Sequence, residues 1–151
     1  MKRILLIIIG LIPLPLGFLL NHCMMNSNSN LPTLLISIVM LVIWFFISMV
    51  SARFVSSKIE TIILLNASAF LILLLNLFQE YIIGHYFMNY IGVSTQFFYL
   101  PFLSLGFTIT SGISSLLASI LYTTTLAYIV VFMCLILVTW LGRKVGERPR
   151  N

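Results

Sequence analysis

Three observations predict an all-α integral membrane protein with four transmembrane helices and both termini cytoplasmic. Hydrophobic residues make up 61% of the 151 positions and charged residues only 7%. A soluble domain carries about a quarter of its residues as charges, so this chain has too few to cover a water-facing surface. The eight Lys and Arg form three tight groups beside apolar stretches: Lys2 and Arg3, Arg53 and Lys58, then Arg143, Lys144, Arg148 and Arg150. That is the placement set by topology during membrane insertion, not a basic patch for nucleic acid, which would need a soluble surface to sit on. No long soluble segment remains outside the apolar runs, so residues 1–151 form one membrane domain.

A spanning helix needs about 20 apolar residues. The first apolar run, about 4–20, meets that length and lacks a small-x-small cleavage site behind it, so it reads as a first span rather than a signal peptide. Pro13 and Pro15 lie near its middle, and proline removes a backbone donor and clashes one turn back, so a kink is expected there. A polar, uncharged loop, NHCMMNSNSNLPT, follows. The second span covers about 34–52 and carries Trp44, Phe45 and Phe46 at its centre. The third covers about 59–78 and contains Asn66 and Asn76.

The remainder is harder to divide. Residues 97–141 contain no charge. As one helix they would reach about 65 Å at 1.5 Å per residue, against a hydrocarbon core about 30 Å thick. The run must break. If every basic group is cytoplasmic, the number of spans is even, and four fits. The last span is then placed at about 114–141. The segment before it, about 79–113, is expected to be interfacial or re-entrant on the outer side, with Gly92, Pro101, Gly106 and Gly112 as breaks. It is rich in aromatic residues, including Tyr81, Tyr86, Tyr90 and Tyr99, which favour the headgroup level.

Polar residues are few enough to weigh singly. Glu60 and Glu147 sit beside basic residues and read as solvated charge. Glu80 is different: it falls on one helix face with Asn66, Ala69, Leu73 and Asn76, and His85 follows five residues later. An ionisable group in or near a membrane helix is a functional candidate. Asn66, Asn76, Glu80 and His85 are therefore the candidate ligand or ion-binding residues, against the plainer reading of Glu80 and His85 as helix-end residues at the water boundary. Asn66 lies deep, where an interhelical hydrogen bond is the ordinary use of an amide. His22, Cys23 and His85 share a side, but their spacing matches no zinc site. No metal or cofactor is expected. Cys23 and Cys134 belong at different depths and are not expected to pair.

One stretch, TSGISSLLASILYTTTLA (110–127), places small residues at four-residue steps: Ser111, Ser115, Ser119, Thr123 and Ala127. Such a seam lets two helix backbones approach closely. It is expected to run along the start of the last span as a packing surface.

No nucleophile motif, phosphate loop or carboxylate pair is present, so no enzyme is expected. The chain reads as a small non-enzymatic polytopic protein of a bacterial cytoplasmic membrane. It would act through helix contacts with another integral membrane protein or a second copy, as an accessory subunit, inhibitor or immunity-type protein. The alternative is a homo-oligomeric transporter or channel for ions or small solutes using Asn66, Asn76 and Glu80. A lipid-modifying enzyme is the weakest reading.

Overall fold

The structure is a computed structural model that describes residues 2–26, 31–55, 57–85, 90–117 and 123–147. Among these the chain is all-helical, in the order α1 (Lys2–Gly10), α2 (Pro13–Asn26), α3 (Thr33–Ser51), α4 (Lys58–Leu77), a π-helical turn (Phe78–Ile83), α5 (Tyr90–Leu117) and α6 (Thr123–Gly146). Four stretches are long and apolar enough to cross a membrane: α1 with α2, α3, α4 with the π turn, and α6.

The expected kink in the first span is a full break. Residues Leu11 and Ile12 form a turn, and Pro13 and Pro15 fall in the first turn of α2. There the missing N–H groups are ones that no intrahelical carbonyl would have served. The break lets one span serve two neighbours: α1 packs on α4 and α2 on α5. The α1 contact is close, since a Cβ on Gly10 would meet the Leu65 carbonyl at 2.6 Å, and the Ser68 hydroxyl donates to the Gly10 carbonyl at 2.6 Å. α2 also runs past Leu20 to Asn26, so His22 and Cys23 lie on its last turns rather than in the expected loop. The Asn26 side chain donates to His22 Nε2 at 2.9 Å, one turn back, and supports that extension.

Arg3, Lys58 and Arg143 meet at one end of the bundle. Arg3 pairs with Glu60, Lys58 with Glu147 at 3.1 Å, and Arg143 donates to the Val55 carbonyl at 2.6 Å. α4 starts there with Ser57 as its cap, accepting from the Glu60 amide, the S-x-x-E pattern of a capping box. α3 and α6 run parallel and both end here. A Cβ on Gly142 would meet the Phe45 carbonyl at 2.5 Å, and Gly146 is tighter still against Met49. Two glycines four apart thus let the backbones of α3 and α6 touch.

α5 corrects the division expected for the uncharged run. It is one helix of 28 residues, with Pro101 inside it, and none of Gly92, Pro101, Gly106 or Gly112 ends it. The last helix begins at Thr123, not near residue 114. The physical reason is that these residues serve packing. Pro101 cannot donate to the Phe97 carbonyl one turn back, and that carbonyl is the atom pressed against Gly17 of α2, where any Cβ would overlap it. Gly106 likewise fits against Ala127 and Val131 of α6. α5 runs beside α2 in the same sense: Phe97 stacks edge-on against Phe18, and Leu103, Phe107 and Ser111 share a groove with Leu20 and Met24. It therefore runs toward the end opposite the basic groups, where α6 begins.

The core is formed by Met40 and Trp44 of α3, Leu65, Ala69 and Leu73 of α4, Phe98, Tyr99 and Phe102 of α5, and Tyr128, Val131 and Leu135 of α6.

Candidate functional site

The face of α4 that carries Asn66, Ala69, Leu73 and Asn76 is buried along its length, as its spacing requires. α6 lies antiparallel against it. Two polar contacts fix the register: Asn66 with Thr139 near the basic end, and Glu80 with Thr125 at the far end. Those contacts define two polar centres on one stripe.

The first is satisfied on its donor side, while the Asn66 Oδ1 is buried without a partner. Thr139 donates to the Leu135 carbonyl at 2.7 Å and accepts from Trp44 Nε1 at 3.2 Å and Asn66 Nδ2 at 3.1 Å. A hydroxyl has one donor and two acceptor positions, so Thr139 is saturated. Asn66 Nδ2 also donates to the Ile62 carbonyl at 3.0 Å. The deep asparagine thus makes the interhelical bond that its position calls for, and it ties α3, α4 and α6 together.

The second centre sits one turn and more beyond the core. Gln79, Thr125 and Asn76 are all within 1% of full burial, and Glu80 is partly buried. Thr125 donates to Glu80 Oε2 and Gln79 Nε2 to the Leu75 carbonyl at 3.3 Å. Asn76 stands out: neither its Oδ1 nor its Nδ2 has a hydrogen-bond partner. An amide buried without partners costs a few kcal/mol, so such a group calls for a specific explanation. The helix is irregular here, with the π turn Phe78–Ile83 starting two residues later. π turns inside α-helices are frequent at functional sites. Beneath the centre, the Tyr99 and Tyr128 rings pack at 5.1 Å, and the Tyr99 hydroxyl donates to the Ala69 carbonyl at 2.7 Å.

Of the four candidate residues, the structure brings Asn76 and Glu80 onto one face at the far end and puts Asn66 in the separate first centre. His85 is set apart from them. Gly84, at φ 76°, ends the π turn in the left-handed conformation, and His85 beyond it is exposed, its Nδ1 donating to the Ile83 carbonyl at 3.1 Å. Among the described residues no group of three His, Cys, Asp or Glu side chains is placed to hold a metal ion. Cys23 and Cys134 are both free thiols.

The small-residue seam does not lie on one helix. Ser111 and Ser115 belong to α5, Thr123 and Ala127 to α6, and Ser119 lies outside the described residues. Ala127 is fully buried against Gly106, so this part of the seam packs within the chain. Ser111 is exposed and lines a groove of about 470 Å³ with Leu20, Met24, Thr33, Ser104 and Thr108. Along that groove the Thr108 hydroxyl donates to the Ser104 carbonyl at 2.8 Å and Ser111 to the Thr108 carbonyl at 2.8 Å. Hydroxyls folded back on their own helix present a small surface with little unmet polarity.

Two features were readable in the sequence and missed. Gly142 and Gly146 have the four-residue spacing of a close helix contact. Arg143, grouped with the solvated basic residues, is 1% exposed and holds the turn that ends α3. Thr125 carried no signal, because only the α4–α6 register brings it to Glu80. No protein-family model matches the chain, and no curated protein or solved structure does so either.

Proposed function

We propose that this is a small non-enzymatic polytopic protein of a bacterial cytoplasmic membrane, with both termini cytoplasmic, that acts by packing against another integral membrane protein. Accessory subunits, inhibitors and immunity-type proteins work in this way. In this reading the segment that precedes α6 is interfacial or re-entrant on the outer side. The observation that carries the reading is the open groove between α2, the first turn of α3 and α5. Its Ser104, Thr108 and Ser111 edge suits a close-packed helix of another protein. A second copy fits less well, since two-fold pairing needs a self-complementary surface and this one is concave.

The transporter alternative draws on Asn76 alone. Asn66 is committed to Thr139, and the depth between the two asparagines is filled by Ala69, Leu73, Tyr99 and Leu135.

The test is site-specific crosslinking in native membranes from a photoreactive residue at Thr108. A discrete protein adduct that disappears with Ser111→Leu supports the reading. An adduct with a second copy moves the assignment to a homo-oligomer. Adducts with lipid alone overturn it.

A further inference from the structure

The orphaned amide of Asn76 is the least explained buried group among the described residues, and its surroundings say what it would take. The register that pairs Asn66 with Thr139 and Glu80 with Thr125 puts Asn76 opposite Tyr128 and Ile129, between the two contacts and one turn from Glu80. The neighbouring polar groups are rich in oxygen: the Glu80 carboxylate, the Thr125 hydroxyl, the Gln79 amide and the Asn76 Oδ1. Oxygen ligands of this kind suit hard cations. Irregular helix segments are used to coordinate such ions where a regular helix keeps its carbonyls for itself.

We propose that Asn76, Glu80 and Thr125 form the core of a binding site for a small monovalent cation, of which Na⁺ is the type. Charge selects the valence. Glu80 is the one carboxylate at this end, since Glu60 and Glu147 are tied to Arg3 and Lys58 at the other. A single negative charge balances one positive charge and leaves a divalent ion uncompensated in a buried setting. A cation on Asn76 Oδ1, with one of its own waters accepting from Nδ2, satisfies both orphaned atoms at once. The Tyr99–Tyr128 pair closes the site from below, so the ion reaches it from the end opposite the basic residues. That end bears no Lys or Arg to repel it. The site is separate from the helix-docking groove, so either proposal stands or falls alone.

The experiment is a thermal-unfolding titration of the full chain in mild detergent, with NaCl exchanged for choline chloride at constant ionic strength. The expected result is a saturable rise of the midpoint with Na⁺, absent with choline, and lost in both Asn76→Leu and Glu80→Gln. If Na⁺ and choline give the same midpoint in the unaltered protein, Asn76 is served by water only and the proposal fails. If the Na⁺ effect survives in both variants, the ion binds elsewhere and the proposal fails equally. A variant that does not fold leaves the titration of the unaltered protein as the deciding measurement.

Discussion

Asn66 and Asn76 lie on the same face of the same helix, ten residues apart, and both are buried. One donates twice, to Thr139 and to the Ile62 carbonyl; the other has no partner at either atom. The difference lies in what faces them. Near the basic end, Gly142 and Gly146 bring α6 against α3, and that approach puts Thr139 within reach of both Trp44 and Asn66. At the far end the helix widens into a π turn and α6 has only begun. A tight interface turns an amide into a bond between helices. A looser one leaves it for something else.

That contrast can be broken at four places. Gly142→Leu should have the largest effect, because its side chain has nowhere to go against the Phe45 carbonyl. Overpacking of this kind costs about 3 kcal/mol, and the unfolding midpoint in detergent should fall accordingly. Thr139→Val keeps the shape but strips the acceptor from Trp44 and Asn66. A loss of about 1–2 kcal/mol is expected, and near-ultraviolet spectra should report the change at Trp44. Asn76→Leu, measured in choline medium, should be neutral or slightly stabilising, because it exchanges an unpaired amide for an apolar group. A loss comparable to that of Thr139→Val would mean that Asn76 has structural partners and would erase the contrast. Last, Ser111→Leu should leave the midpoint within about 0.5 kcal/mol of the parent. The crosslinked adduct should nevertheless vanish.

The sequence made some of this legible and not the rest, for physical reasons. Apolar length marked four helices long enough to cross a membrane, and charge grouping anticipated that Arg3, Lys58 and Arg143 share one end of the bundle. A polar residue in an apolar run is conspicuous, so Asn66, Asn76 and Glu80 could be picked out. Pro13 and Pro15 marked a real break. Pro101 did not, although it is the same residue type in a similar setting. The difference is tertiary: the carbonyl that Pro101 leaves unserved lies against Gly17, eighty positions away in the chain. His85 was grouped with Glu80 by proximity in sequence, and the left-handed turn at Gly84 separates them. Thr125 was invisible as a partner of Glu80 because helix register cannot be read from either helix alone.

The broken first span carries a consequence for biogenesis. Its two halves find their neighbours at different moments of synthesis. α1 docks on α4, whose contact residues Leu65 and Ser68 are made early. α2 rests on α5, and its key contact is the Phe97 carbonyl. Until the ribosome has passed α5, the N-terminal helix has its neighbour at one half and still lacks it at the other. The turn at Leu11 and Ile12 is then the joint about which the nascent chain waits.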